Sequence, residues 1–339
     1  MSDGQVVAHS LYIYAPNKGA PIFFTAAFTV SFIGHFWQCC RYRSWTVNGL
    51  HPLCAILYTV GYALREYGAY NYTYTGTQHK TLMIYIMSQV FINICPPLLE
   101  LSNYHILGRI FTYIPCKAPI SPSHVFAIFG TIMSVVEALN ALGVAFTSNP
   151  TGDKQDLGKV LILAALSIQL CLILTFVSVA GLFQVRCYKG GLCNKKTRHL
   201  PTLMVTLYVS MGLILIRCIY RLIEHSGNTA LDINDKAKLQ SLDPLLRYEW
   251  VTYVFDGATM LLNSWLWNVF NAGRYLPRNK GIHLSSEGVE VDESEEGIGA
   301  REFGRAMLQV ASLGVWGVVF ARKDGVEMGE EDFVMACDL

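Results

Sequence analysis

Seven apolar stretches dominate the chain, near 21–38, 48–67, 81–102, 124–146, 158–183, 200–224 and 249–271. A hydrocarbon core about 30 Å thick takes roughly 20 helical residues to cross. Within lipid every backbone N–H and C=O must find a partner inside the protein, which restricts a spanning chain to helices or a closed barrel. The stretches are continuous rather than alternating in polarity, so they read as helices. Short connections make consecutive spans antiparallel. The expected fold is therefore all-α: a polytopic membrane protein built as a seven-transmembrane-helix bundle.

Composition agrees and removes other classes. Charged residues are 15% of the chain and hydrophobic residues 52%, against about 25% charged in an ordinary soluble domain. The 26 basic and 25 acidic residues leave a net charge of +1, which argues against nucleic acid as a partner. The sequence holds no Gly-x-Ser-x-Gly elbow, no His-Glu-x-x-His or other His-x-x-x-His pair and no phosphate-binding loop. A hydrolase, an intramembrane zinc enzyme and a nucleotide-driven pump lose their support. No enzyme activity, metal or cofactor is expected.

Lys and Arg in the loops set the orientation. Arg41, Arg43, Arg109, Lys117, Arg186, Lys189, Lys195, Lys196, Arg198, Arg274, Arg278 and Lys280 fall on one side. The other side has seven basic residues, mixed with aspartates. The expectation is an N-terminus outside and a C-terminus in the cytoplasm, without a signal peptide. Residues 1–20 read as an extracytoplasmic segment, 21–273 as the membrane domain and 274–339 as a cytoplasmic, largely disordered tail. That tail carries an acidic run, Glu287, Glu290, Asp292, Glu293, Glu295 and Glu296, and an uncharged stretch from Ala306 to Ala321, somewhat short for a span, that reads as an interfacial or buried helix, with an eighth span as the alternative. Asn71-Tyr72-Thr73 is a glycosylation sequon in an outer loop.

Ionisable residues inside spans are costly and mark function or pairing. Span six holds Arg217, Arg221 and Glu224, all within roughly 60° at about 100° per residue. Span seven repeats the spacing with Glu249, Tyr253 and Asp256, and Met260, Asn263 and Trp267 continue the stripe. Matched depth in antiparallel neighbours suggests Arg217 facing Asp256 and Arg221 facing Glu249. Two readings stay open: an ion-pair ladder that clamps two helices, and a polar cavity for a charged headgroup. Arg65 and Glu66 lie at a similar depth in span two. Glu137 and Asn140 lie near the middle of span four, and Glu100 follows the Pro96-Pro97 break in span three.

These residues also carry a resemblance. Leu215-Ile216-Arg217 with Tyr220-Arg221 and Glu224 is similar to the sixth-helix signature of the fungal RTA-like family, also called lipid-translocating exporters. Glu249, Tyr253, Phe255, Asp256 and Met260 resemble its seventh-helix pattern, and Asn268-Val269-Phe270 with Gly273 its closing motif. Tyr14-Ala15-Pro16, Gly61-Tyr62 with Arg65, Pro96, Tyr104 and Leu107-Gly108-Arg109 also fit. The fourth helix departs: where the family usually has an Asp and a Gln seven positions on, Met133 and Asn140 stand here, with Glu137 added. The resemblance implies seven spans, a plasma or internal membrane, and movement or export of an amphiphilic lipid, sphingoid base or toxic amphiphile. Its implied partners are membrane lipids or amphiphilic small molecules. Candidate ligand or translocation residues are Arg217, Arg221, Glu224, Glu249, Tyr253, Asp256, Arg65, Tyr62, Glu137 and Asn140. A seven-span sensor that acts on resistance indirectly is the alternative.

Overall fold

The computed structural model describes residues 6–7, 9–74, 79–147, 154–189, 200–227, 247–277, 282–284 and 290–292. The order is α1 (Ala20–Tyr42), a one-turn α2 (Trp45–Asn48), α3 (Leu50–Tyr70), α4 (His79–Tyr113), α5 (Pro122–Thr147), α6 (Gln155–Lys189) and α7 (Leu200–Ser226). A final helix follows in three pieces: α8 (Glu249–Thr252), a π segment (Tyr253–Ala258) and α9 (Thr259–Val269). Two short antiparallel strands close the described chain, β1 (Ile282–Leu284) and β2 (Glu290–Asp292).

Local sequence explains where the first helix begins and ends. The Asn17 side chain accepts from the backbone N–H groups of Gly19 and Ala20 at 2.7 and 3.1 Å. Pro21 stands in the first turn, where its missing N–H costs nothing. Arg43 ends the helix in the left-handed region, φ 49°, with its N–H returned to the last carbonyls.

Five of these helices are long and apolar enough to cross a membrane: α1, α4, α5 over Ala127–Thr147, α6 and α7. α3 has 21 residues, but its polarity is raised by His51, Arg65 and Glu66. The last helix is divided by its π segment into pieces of 4, 6 and 11 residues. The protein is an all-α, multi-pass membrane protein.

The bundle is a closed ring. α1 packs on α3, α3 on α4, α4 on α5, α5 on α6, α6 on α7, α7 on α9, and α9 returns to α1; α4 also reaches α7. α5 and α6 approach so closely that a Cβ on Gly143 would stand 2.9 Å from the Gly158 carbonyl oxygen. Small residues at such crossings let helices pack in lipid without a hydrophobic driving force. The outward surface is apolar: Ile22, Phe23, Val30, Val160, Leu182 and Leu262 are among its exposed side chains. Buried polar groups lie inside, the reverse of a soluble domain.

At one end, residues 6–7 and 9–14 fold back over the bundle. Ser10 bridges Thr73, and Leu11, Tyr12, Ile13 and Tyr14 form a separate apolar cluster with Tyr74 and Tyr85. At the other end, Asn48 donates to the Asn271 Oδ1 at 2.7 Å, and Arg109 donates to the Pro277 carbonyl at 3.1 Å. β1 packs there against α4. β1 and β2 stand within the tail, with Glu290 and Asp292 of the acidic run in β2 and Leu284 of β1 buried. Most of that tail, including Ala306–Ala321, lies outside the described residues. Arg278, Lys280 and the basic residues Lys195, Lys196 and Arg198 also lie outside them.

Candidate functional site

Three arginines and three carboxylates meet inside the bundle, beneath the N-terminal segment. Arg217 of α7 reaches Asp256 of the π segment, with Nε 2.6 Å from Oδ1 and both side chains 3% exposed. The depth argument anticipated this pair. A π turn is rare and frequently sits at a functional position; here it carries Asp256 itself.

The second anticipated pair does not form. Arg221 turns to Glu224 on its own helix, Nη1 to Oε2 at 2.6 Å. Glu249 instead faces Arg65 of α3 at 3.6 Å. That distance makes a charge pair but exceeds a good hydrogen bond, and Glu249 Oε2 accepts from the Asn17 backbone N–H at 2.8 Å. The reason is steric access. Matching depth along α7 and the last helix left out a third helix at the same level, and Glu224 stands one turn from Arg221, where i,i+3 side chains touch.

Arg65 is held on several sides. Its Nε donates to the Tyr253 hydroxyl at 3.1 Å and its Nη2 to the Tyr14 hydroxyl at 3.0 Å. Its guanidinium also lies over the Tyr12 and Tyr253 rings, 5.1 and 5.3 Å from their centroids. Tyr62 enters the site through its ring. It stacks on Phe24 with centroids 5.0 Å apart, and Phe28 and Tyr58 extend the aromatic floor under the charges at 4.4 Å. Gly257 permits this: a Cβ there would stand 2.8 Å from the Tyr62 hydroxyl and 3.0 Å from the Phe24 ring.

Asn93 of α4 was absent from the sequence-level candidates and is central. Its Oδ1 accepts from Arg221 Nη2 at 2.7 Å and from Arg217 Nη2 at 3.2 Å. A signal existed, since Asn93 is a polar residue in an apolar span just before Pro96-Pro97. Prolines remove two helical N–H donors there, although α4 continues unbroken past them. Tyr14, named above only as part of the resemblance, and Asn17 stood outside the candidate site residues because they precede the first span. Tyr220, named in the sixth-helix signature but not among the candidates, donates to Glu224 Oε1 at 2.9 Å.

Glu137 and Asn140 stand apart from the ion pairs. With Val90, Asn93, Ile94 and Val144 they line a cleft of about 10 Å³ between α4 and α5. Glu100 and Tyr104 form a further buried pair, the hydroxyl donating to Oε1, while Gln169 donates to Oε2 at 2.7 Å. Glu66 is at the rim of the network, half-buried, with neither oxygen bonded to a partner. Asn71, the sequon residue, is exposed at the end of α3. No cluster of His, Cys, Asp and Glu fit for a metal occurs among the described residues.

Comparison with known proteins supplies the context. A family model described as "RTA1 like protein" matches residues 52–279, the stretch that contains every charged residue of the network. The chain is 46% identical over 322 residues, 94% of its length, to a Leptosphaeria maculans protein named "Lipid-translocating exporter-like protein RTA1"; it spans 61% of that relative. It is 27% identical to "Protein RTA1" of Saccharomyces cerevisiae, over 74% of this chain and 81% of the yeast protein. It is 24% identical to "Probable lipid transporter atnI" of Emericella nidulans, over 79% of this chain and 68% of that one. No solved structure matches it. The chain belongs to the RTA1-like family.

Proposed function

We propose that the protein moves an amphiphilic lipid, or a lipid-like toxic amphiphile, across or out of the bilayer, and that Arg65, Arg217 and Arg221 with their carboxylates receive the polar headgroup. Seven spans carry the site, with α3 and the α8–π–α9 helix as the second and seventh, the N-terminus outside and the tail in the cytoplasm. The observation that carries this reading is a charged network buried inside a bundle with an apolar exterior. A helix clamp needs one pair. Here three pairs, drawn from α3, α7 and the last helix, lie together: two of them share Asn93 as an acceptor, and Tyr253 accepts from Arg65 of the third. Each arginine uses two N–H groups in side-chain bonds out of a fork of five, which leaves donors for a phosphate or hydroxyl. The relatives' names, lipid-translocating exporter-like and probable lipid transporter, support the same class of cargo.

The test is movement of a fluorescent lipid between leaflets of vesicles containing the purified protein. Arg217→Met combined with Asp256→Leu removes both charges at similar volume, a change that often leaves stability neutral or improved. A well-folded double variant is expected to lose lipid movement. Full activity in that variant would reduce the network to a structural clamp.

A further inference from the structure

Five acidic residues are buried among the described residues: Glu100, Glu137, Glu224, Glu249 and Asp256. Glu224, Glu249 and Asp256 face arginines, and Glu100 takes hydrogen bonds from Tyr104 and Gln169. Glu137 differs. It is 4% exposed, and its Oε2 has no hydrogen-bond partner. It lines the cleft between α4 and α5 together with Asn93 and Asn140.

The cleft has room for a water: its volume of about 10 Å³ suits roughly one such molecule. Ionised, Glu137 places charge on an oxygen that no protein group donates to, which is expensive inside a membrane. Protonated, it needs one acceptor, and a single water supplies it. In that step a hydronium ion reaching the cleft gives its proton to Oε2 and remains as water; release reverses it.

The surroundings give this proton a consequence. Arg217 of α7 is the charged group that acts on Glu137 electrostatically. From α4 the titratable neighbour is Cys95, and α6 has no charged side chain between Lys159 and Arg186. On α5 the other titratable residue is His124, about 20 Å along the axis at 1.5 Å per residue. An ionised Glu137 adds a negative charge on the side of Arg217, whose direct partner is Asp256. Asn93 lines the same cleft and holds both Arg217 and Arg221. A proton arriving or leaving therefore changes the hold of α7 on the π segment. We propose that Glu137 is a proton-binding site that couples lipid movement to a transmembrane proton gradient, an inference that rests on the lipid-moving reading above.

The experiment uses the full chain in phosphatidylcholine vesicles carrying a trace of a short-chain fluorescent phospholipid, with outer-leaflet label read by chemical quenching. If one proton accompanies each lipid, a gradient of one pH unit biases the leaflets about tenfold. The native chain is expected to build an asymmetry approaching that ratio, and Glu137→Gln to abolish it. Native protein that scrambles the lipid evenly despite the gradient overturns the coupling while leaving the lipid-moving reading intact. Native protein that moves no lipid overturns both. Infrared difference spectra read the proton without transport. A carbonyl-stretch band of protonated carboxylic acid is expected in the native chain and absent in Glu137→Gln; an identical band in both overturns the assignment.

Discussion

At the scale of single residues, the network is decided by who reaches whom. Arg217→Ala leaves Asp256 as an uncompensated buried charge, at roughly 3–5 kcal/mol, so loss of function in that variant reports folding as much as binding. Double-mutant cycles separate the partners better. Arg65 and Glu249 are expected to couple by about 0.5–3 kcal/mol in thermal melts of the detergent-purified protein, whereas Arg221 and Glu249 should be additive within about 0.5 kcal/mol. The opposite result would restore the pairing expected from depth alone. Asn93→Leu removes one acceptor from two arginines and should cost about 1–3 kcal/mol, measured the same way. These residues were legible to different degrees. Arg217, Asp256 and Glu137 announce themselves as charges within apolar spans. Asn93 does not, because an uncharged amide in a span is common enough as a packing hydrogen-bonder.

At the scale of elements, three irregularities surround the site. The π segment inserts an extra residue beside Asp256, and Gly257 within it takes the Phe24 and Tyr62 rings against its backbone. Gly257→Val puts methyl groups where those rings stand. Overpacking of this kind costs about 1–3 kcal/mol, so a lowered melting temperature is expected; an unchanged one would mean the rings give way freely. The second irregularity is the proline pair in α4, one turn from Asn93. The third is the N-terminal segment, where Ile13 sits at φ 71°, an outlier for a β-branched residue. Its burial and the Val7 N–H to Ile13 carbonyl bond at 2.8 Å hold it there. Seven continuous apolar stretches marked the long helices, but nothing in the sequence marks the one-turn α2, a π turn or a segment folded back on the bundle, since these depend on what they pack against.

At the scale of the whole molecule, a ring of helices carries charge inside and hydrocarbon outside, and the expected orientation follows from twelve basic loop residues on one side against seven on the other. A reporter fused after Leu339 is expected in the cytosol; a reporter on the opposite side would overturn the arrangement of seven spans with the N-terminus outside. The sequence by itself determined the class of molecule, the helical character of its spans, the face on which Arg217, Arg221 and Glu224 line up, and the depth of Asp256. These follow from backbone satisfaction in lipid and from a fixed rise and rotation per residue. The tertiary structure decided the partners: Arg65 rather than Arg221 for Glu249, Asn93 as the shared acceptor, and Tyr14 with Asn17 over the top. Helical geometry fixes a side chain's height and direction on its own axis, whereas its partner depends on which third and fourth elements the closed ring brings to the same height.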